Sequence, residues 1–401
     1  MTGSAFRSVE EAEVKGKRVL VRVDMNVPMH DGVFTDVTRI ARVLPTIEML
    51  VSRGARVVVL SHFGRPKGKL VVEMSMEPVA RKLDEMLPGV PVRFVDDCIG
   101  RDAENAVNAL KDGEVAFLEN LRFHAGEEAN DPAFVGSLAR LGDIYVNDAF
   151  SSSHRAHAST SGIAGMLPAY AGFLMAAEMD ALAHALEHPK RPVAAVVGGA
   201  KVSTKIPVLT NLVKKFDCVI IGGGMANTFL HARGVNVGNS LCEPDLADTA
   251  RDIVKAALEA KCEILLPSDV VVAKEFKAGA ANEVCALDDV PADGMILDVG
   301  PQTRTELKSR LKDLKTLLWN GPLGAFEIEP FGEGTFALAR EAARLTSEGA
   351  LVTVAGGGDT VAALNDAGVT SDFTYVSTAG GAFLEWLEGK ELPGVAALRA
   401  N

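Results

Sequence analysis

The sequence predicts an α/β protein with two doubly wound, parallel-sheet (Rossmann-like) domains, joined by a helix and a hinge, with a cleft between them. Short apolar runs alternate with amphipathic segments of helical period along the whole chain, and this alternation is typical of parallel sheets covered on both faces. The chain has 401 residues, 48% of them hydrophobic, and single cores rarely exceed ~250–300 residues. Two separately cored domains are therefore predicted.

The first half contains five short apolar runs that are predicted strands of one parallel sheet. Between them, apolar residues recur at helical spacing and predict covering helices. Pro45 lies inside the first of these helical patterns and is expected to kink it. The predicted strands span residues 18–23, 56–60, 92–95, 115–118 and 144–146.

The second half repeats the scheme after a predicted connecting helix, which a proline-containing segment ends. This pattern divides the chain into an N-terminal domain (1–170), the connecting helix (171–187), a C-terminal domain (188–376) and a final segment (377–401). The predicted strands of the second sheet span residues 193–197, 218–221, 264–266, 295–299, 316–319, 351–355 and 373–376.

Composition argues against several kinds of partner. The net charge of −12 and the isoelectric point near 5.3 argue against a nucleic acid or an anionic membrane. The five cysteines form no Cys-x-x-Cys pair, which is typical of a reducing compartment. No segment approaches the ~18 apolar residues of a membrane span, and the N-terminus lacks an apolar signal region. We therefore expect a cytoplasmic protein.

The most informative stretch is a glycine-rich corner, Gly356-Gly357-Gly358-Asp359-Thr360, between a β-branched run and a helix-like run. This order places backbone amides and a helix N-terminus where a strand ends, which is a common way to bind phosphate. Asp359 is also able to hold a magnesium ion, because carboxylate oxygens suit Mg²⁺. The alternative interpretation is a purely structural strand-to-helix turn.

Polar side chains follow the predicted strands of the first domain. Ligands of open parallel sheets bind beyond the carboxyl ends of the strands, so these side chains are predicted to converge. Guanidinium groups pair with phosphate and carboxylate oxygens, although a single arginine is more often a surface ion-pair partner. His62 and His154 are interpreted as hydrogen-bonding residues, because no acidic third metal ligand accompanies them. The cluster comprises Arg39, His62, Arg65, Arg122 and Arg155, with Asp24 and Asn26 close in sequence to the first strand.

The second half is rich in glycine at the same strand ends, which lets backbone approach a base, a ribose and a phosphate chain. Lys201 and Lys205 are four residues apart, and on a helix both ammonium groups would lie on one face, with a triphosphate between them. Neither a Walker motif nor a Gly-x-Gly-x-x-Gly fingerprint opening a helix is present. A polyanion-binding domain combined with a nucleotide-binding domain favours phosphoryl transfer, which needs positioning and charge stabilisation.

Seven strings of residues occur in an order that is known from one family. They are Arg22-Val23-Asp24-Met25-Asn26-Val27-Pro28, Ser61-His62-Phe63-Gly64-Arg65-Pro66, Glu119-Asn120-Leu121-Arg122-Phe123, His154-Arg155-Ala156-His157, Gly198-Gly199-Ala200-Lys201-Val202, Trp319-Asn320-Gly321-Pro322 and Gly356-Gly357-Gly358-Asp359-Thr360. On these strings the chain resembles phosphoglycerate kinase along essentially its whole length.

The resemblance implies reversible transfer of the acyl phosphate of 1,3-bisphosphoglycerate to MgADP, giving 3-phosphoglycerate and ATP, by a monomer that closes about a hinge. It also implies that the final segment (377–401) returns to the N-terminal domain. No general base is expected, because the nucleophile is already ionised at neutral pH. Arg39, Lys201 and Lys205 would stabilise the transferring group. Phosphoglycerate would bind at Asp24, Asn26, Arg39, His62, Arg65, Arg122 and Arg155, and the nucleotide at Lys205, Gly223, Gly224, Asn320, Pro322, Glu327, Gly357, Gly358, Asp359 and Thr360, with Asp359 as the magnesium contact.

The resemblance has two departures, and two other functions stay open. Ser151-Ser152-Ser153 stands where most relatives carry Gly-Thr-Ala, and Ala379 replaces a glycine, which would be costly at positive φ. A different ATP-using carboxylate kinase would share the arginine cluster, but it would act on acetate or aspartate. A binding protein without activity would share the two-domain fold, but it would lack a magnesium-dependent nucleotide site.

Overall fold

A computed structural model describes residues 6–30 and 33–399 of the chain. It confirms the predicted fold class, because it contains two parallel six-stranded sheets together with helices. Residues 1–5 of the predicted N-terminal domain and residues 400–401 of the predicted C-terminal segment lie outside the described residues. Within the described part, no helix has both the length and the apolar character needed to cross a membrane.

The chain forms two compact units whose limits differ from the predicted domain boundaries. The first unit runs to Met179 and resumes at Glu391, and the second is Asp180–Lys390. The division therefore lies inside the predicted connecting helix, which is an α-helix over Phe173–Leu182 continued by a π-helical turn over Ala183–Glu187. Within the predicted C-terminal segment, residues 377–390 belong to the second unit, and the chain from Glu391 onward belongs to the first unit.

The first unit is built on one parallel sheet and also contains a short antiparallel hairpin. Its strands are β1 (Arg18–Val23), β2 (Met29–His30), β3 (Val33–Phe34), β4 (Arg56–Leu60), β5 (Val92–Val95), β6 (Val115–Leu118), β7 (Ile144–Asp148) and β8 (Ala169–Ala171). The sheet order is β5-β6-β4-β1-β7-β8, and β2 pairs with β3. Every residue of β1 after Arg18 is buried, so both faces of this central strand are covered.

The helices of the first unit form where apolar residues recur at helical spacing, and their apolar faces pack on the sheet. Ile40 and Ile47 share one core cluster with Val21 and Val57 of the central strands, and burying each such side chain stabilises the fold by about 1.5–3 kcal/mol. The helices are α1 (Thr38–Ser52), which contains Pro45, α2 (Glu77–Met86), α3 (Gly100–Asn108), α4 (Ala125–Glu128), α5 (Pro132–Ala139), α6 (Phe173–Leu182), which crosses the unit boundary, and α14 (Pro393–Arg399).

The second unit contains a parallel sheet of Rossmann order and a smaller antiparallel sheet. Its strands are β9 (Val193–Val197), β10 (Cys218–Ile221), β11 (Glu263–Leu265), β12 (Asp269–Ala273), β13 (Asn282–Ala286), β14 (Met295–Val299), β15 (Thr316–Asn320), β16 (Val352–Gly356) and β17 (Tyr375–Ser377). The parallel sheet has the order β11-β10-β9-β15-β16-β17. The strand order therefore reverses between β9 and β15, where ligands of doubly wound sheets bind.

One strand assignment is wrong and two strands are missed in this unit. Residues 295–299 form a strand as predicted, but β14 pairs antiparallel with β12, which pairs antiparallel with β13. A short apolar run is compatible with either kind of sheet, so the run alone does not reveal its partner.

The helices of the second unit are α7 (Ile206–Leu212), α8 (Gly223–Ala232), α9 (Ala247–Glu259), α10 (Pro301–Leu311), α11 (Glu333–Ser347), α12 (Gly358–Asp366) and α13 (Gly380–Leu387).

Candidate active site

The basic cluster of the first unit consists of the seven predicted residues Asp24, Asn26, Arg39, His62, Arg65, Arg122 and Arg155. Hydrogen bonds connect four of them near the carboxyl ends of β1, β4 and β6, namely Asp24, Asn26, Arg39 and, through Gly64, Arg122. His62 lies close enough to Asp24 to affect its pKa. Arg65 and Arg155 are exposed. Arg155 lies close enough to Arg122 to affect its pKa. For the Arg65 side chain, no hydrogen bond or ion pair occurs within residues 6–30 and 33–399.

Asp24 fixes the position of Arg39, the second residue of α1. Asp24 Oδ2 accepts a hydrogen bond from Arg39 Nη1 at 2.5 Å and another from the Ser151 hydroxyl, while Oδ1 accepts from Asn26 N at 3.1 Å. Burial by itself would raise the pKa of Asp24, but the interactions with His62 and Arg39 and these hydrogen bonds lower it to about 2. Asp24 is therefore ionised at neutral pH and anchors the Arg39 guanidinium.

His62 is buried and neutral at pH 7. Burial, followed by the charge of Arg22, lowers the pKa of His62 well below its ordinary value, although Asp24 opposes this shift. Arg22 Nη2 lies 3.0 Å from His62 Nδ1. Since a guanidinium only donates, Nδ1 is the acceptor and the proton of the neutral ring lies on Nε2. His62 can therefore donate one hydrogen bond to a ligand from Nε2.

Arg22 is a site residue that the sequence analysis does not predict. Its side chain is completely buried, and its Nε donates to the Ser159 hydroxyl at 2.8 Å. Ser159 in turn donates to Glu127 Oε1 at 2.6 Å. Burial raises the pKa of Glu127, and Arg22 opposes the rise. An arginine inside a predicted buried strand is the sequence signal that could have identified it, because a buried cation requires partners.

Arg122 completes the basic cluster through a glycine turn. Arg122 Nη1 donates to Gly64 O at 2.8 Å, and Gly64 N donates to Asn26 Oδ1 at 3.1 Å. Gly64 has a φ of +61°, and a Cβ there would lie 2.8 Å from Met74 Sδ, so this turn requires glycine. Burial and the nearby Arg22 lower the pKa of Arg122. The crowding of cations gives the cluster a positive field that suits a polyanion.

In the second unit, glycine corners meet where the strand order of the parallel sheet reverses. Gly198 follows β9, and its N donates to Asn320 O at 3.0 Å. A Cβ on Gly198 would lie 1.8 Å from Pro322 O, and one on Gly223, where φ is +66°, would lie 2.7 Å from Gly199 O. These close backbone contacts exclude side chains, so the main chain itself lines the adjacent space.

A cavity of about 540 Å³ lies beside these corners, entirely within the second unit. Small-molecule sites typically have volumes of about 300–1,000 Å³, so this cavity is large enough for a ligand. Five residues that were predicted to bind the nucleotide line it, namely Gly223, Gly224, Pro322, Glu327 and Asp359.

The lining residues that were not predicted include Leu241, Phe276 and Asp298. Leu241 and Phe276 are 51% and 60% exposed and also line the cavity, so they offer apolar surface to a flat ring. Asp298 is buried against the same cavity and accepts hydrogen bonds from Val299 N and Gly334 N. Burial raises the pKa of Asp298 to about 7, although the two amides oppose the rise.

The prediction that two lysines share one helix face is wrong. Lys201 has extended backbone and precedes a short 3₁₀ helix over Val202–Thr204, whereas Lys205 follows this helix and precedes α7. Lys205 Nζ donates to Oδ1 of Asn320. Burial lowers the pKa of Lys205 to about 8, although Asp359 and another carboxylate oppose the shift. Lys205 therefore sits in a constrained site, whereas Lys201 is exposed.

The corner that was predicted to bind phosphate is the start of α12. Gly357 is its N-cap, with a φ of +99°, and a Cβ there would lie 2.6 Å from Asn320 Nδ2, so this position requires glycine. Asn320 Nδ2 also donates to Gly356 O at 2.7 Å, and Gly321 N donates to Thr360 Oγ1 at 2.8 Å. The first amides of a helix have no partner within the helix, so an anion is stabilised there.

Comparison with known proteins identifies the family. The phosphoglycerate kinase family model matches residues 9–390. The chain belongs to the phosphoglycerate kinase family. The phosphoglycerate kinases of Methylorubrum extorquens (strain PA1) and Agrobacterium fabrum are 62% and 60% identical to it, covering 99% and 98% of both chains in each pair. The solved phosphoglycerate kinase structure from Coxiella burnetii matches with a TM-score of 0.91 at 44% identity, covering 98% of each chain.

The two departures from the phosphoglycerate kinase motifs have simple local geometry. Ala379 has a φ of −96°, which any residue adopts, so the cost expected for positive φ does not arise. Ser151 contributes a hydroxyl that donates to Asp24 Oδ2. Ser151 therefore supplies a donor to the carboxylate that anchors Arg39.

Proposed function

We propose that this chain catalyses the reversible transfer of the acyl phosphate of 1,3-bisphosphoglycerate to MgADP, with phosphoglycerate bound on the first unit and nucleotide on the second. The observation that carries the proposal is that the family model extends across both units. The first unit contains the basic cluster and the second unit contains the glycine-lined cavity, so each unit offers one half of the required chemistry. The proposal includes a monomer that acts in the cytoplasm.

Phosphoglycerate binding is assigned to the basic cluster. Asp24 holds one nitrogen of Arg39, which leaves other guanidinium donors for the transferring phosphoryl group. His62 offers the Nε2 proton to a substrate oxygen, because Arg22 occupies Nδ1. The exposed Arg65 and Arg155 can reorient towards the substrate phosphate. The complete assignment is Asp24, Asn26, Arg39, His62, Arg65, Arg122 and Arg155.

Nucleotide binding is assigned to the cavity and the start of α12. The flat base is proposed to lie against the backbone of Gly223 and Gly224, because side chains are excluded there. The phosphates are proposed to follow the chain towards α12, whose N-terminal amides favour anions. The complete assignment is Lys205, Gly223, Gly224, Asn320, Pro322, Glu327, Gly357, Gly358, Asp359 and Thr360.

The residues around Asp359 fit a magnesium nucleotide. Asp359 is exposed, lines the cavity and lies close enough to Lys205 to affect its pKa. One carboxylate together with phosphate oxygens and water is a ligand set that Mg²⁺ accepts. When bound with the nucleotide, Mg²⁺ would neutralise part of the phosphate charge. Asp359 and Lys205 would thus place opposite charges around the phosphate chain.

The proposed mechanism relies on charge and position rather than on proton transfer. The carboxylate of 3-phosphoglycerate and the terminal phosphate of ADP are both ionised at neutral pH, so no general base is required. Arg39, Lys201 and Lys205 are proposed to stabilise the charge of the group in transfer. The reacting oxygens must approach to roughly 3–3.5 Å of the group in transfer, with water excluded. We therefore include in the proposal that the two units close on each other during turnover.

Asp359→Ala is expected to weaken binding of MgADP more than binding of metal-free ADP. The physical reason is that the carboxylate would contact the magnesium ion, whereas it repels the bare phosphates. Isothermal titration with ADP, in the presence of either Mg²⁺ or a chelator, measures both dissociation constants.

Asp366→Ala is the matched control, because Asp366 is exposed at the other end of the same helix. It is expected to leave both constants unchanged. If Asp359→Ala weakened the binding of MgADP and of metal-free ADP equally, Asp359 would only stabilise the start of its helix and would not contact magnesium.

A further inference from the structure

Asp97, Cys98 and His124 form a cluster in the first unit that phosphoryl transfer does not use. One potential ligand atom of each residue lies within 4.8 Å of the other two. Asp97 and Cys98 follow β5, and His124 precedes α4. We propose that these three residues bind a transition-metal ion of the Zn²⁺ class.

The chemistry of the three ligands selects the class of metal. A thiolate and an imidazole suit borderline-soft ions such as Zn²⁺ or Co²⁺, whereas Mg²⁺ and Ca²⁺ prefer oxygen ligands. Three protein ligands leave one position for water in a tetrahedral site. The site would therefore be distinct in chemistry from the magnesium nucleotide site.

The His124–Asp97 pair needs only a small adjustment to accept an ion. His124 Nε2 and Asp97 Oδ1 are 2.6 Å apart. Metal bonds of about 2.0–2.2 Å in a tetrahedral site place such atoms roughly 3.3 Å apart, so the pair must separate by less than about 1 Å. Asp97 Oδ1 also accepts a hydrogen bond from Cys98 N at 2.7 Å, which holds the carboxylate beside the Cys98 backbone.

Exposure provides an entry path from one side. The Asp97 and His124 side chains are 48% and 31% exposed, whereas Cys98 is buried behind them. The His124 ring packs against Phe134 with the ring centroids 5.4 Å apart, which limits its rotation. An ion can therefore reach the two outer ligands first and then the thiol.

Binding of the ion at the thiol releases one proton. The S–H bond of Cys98 breaks, a metal–sulfur bond forms and the proton leaves to solvent.

Titration of the chelator-treated chain with Co²⁺, without nucleotide or Mg²⁺, tests the proposal. The expected result is a thiolate-to-cobalt charge-transfer band that saturates at one equivalent. Cys98→Ser should abolish the band. His124→Gln and Asp97→Asn should weaken Co²⁺ binding by about tenfold or more, because removing even an outer-shell partner costs about 10–100-fold.

Cys262→Ser is the matched control, since Cys262 is another buried free thiol outside the cluster, and it should leave the band unchanged. If Cys98→Ser does not fold, His124→Gln decides the question, because its ring is partly exposed and less important for packing. A chain without a charge-transfer band, or a band that persists in Cys98→Ser or is unchanged in His124→Gln, would overturn the proposal.

Discussion

Replacing Arg39 by alanine is expected to lower kcat for phosphoryl transfer by about 10³ or more, since arginines that stabilise a transferring phosphoryl group contribute about 10³–10⁵. Arg39 is held by Asp24 at 2.5 Å, and its other donors are directed to the substrate in the proposed mechanism. The dissociation constant of MgADP should barely change, because Arg39 belongs to the first unit. Steady-state kinetics and calorimetry measure the two quantities.

Arg81→Ala is the control for loss of a helical arginine in the same unit. The Arg81 side chain is 74% exposed and pairs with Glu77 one turn earlier on α2, so kcat should not change. A thermal melt of Arg39→Ala is also required, because Asp24 would lose its cationic partner. If a folded Arg39→Ala variant lost less than about tenfold in kcat, the proposed role of Arg39 in the mechanism would be wrong.

Replacing Lys205 by alanine is expected to lower kcat by about 10²–10³, the usual loss when one donor to a charged transition state is removed. The pKa of Lys205 is about 8, so the ammonium group is charged below that pH and neutral above it. We therefore expect kcat/KM for ADP to fall as the pH rises through about 8, because this ratio reports the free enzyme. A pH series of initial rates measures this dependence.

Lys205→Arg and Lys214→Ala are the matched variants for this position. Arginine stays protonated over the whole pH series, so Lys205→Arg should no longer show the fall in kcat/KM near pH 8. Its activity should still be lower, because a guanidinium group differs in shape from an ammonium group. Lys214 is exposed shortly after α7 and its replacement should leave the profile unchanged. An alkaline fall that persists in Lys205→Arg would assign the titration to another group.

The sequence predicted those parts of the fold that depend on local pattern. Residues 18–23 and 193–197 form strands with the predicted bounds, because central parallel strands are predominantly apolar. The pairing of β14 was not predictable, since its apolar pattern is similar to that of a parallel strand and does not indicate that β12 is its antiparallel partner. The lysine pair was misplaced because a 3₁₀ turn interrupts the assumed helix.

The candidate site was predictable where function places polar residues at strand ends. Asp24, His62 and Arg122 follow strands in that way. Arg22 was missed because it lies inside a strand, and its partner Ser159 is 137 residues away in the sequence. Burial and partners of this kind depend on the tertiary fold, which no local spacing records.

The most direct test of the account is an assay of phosphoryl transfer by the purified chain with ATP and Mg²⁺. Parallel reactions contain 3-phosphoglycerate, acetate or aspartate as the acceptor. With 3-phosphoglycerate we expect formation of 1,3-bisphosphoglycerate and ADP, and with the other two acids we expect no transfer. Transfer to acetate or aspartate together with no reaction of 3-phosphoglycerate would contradict it.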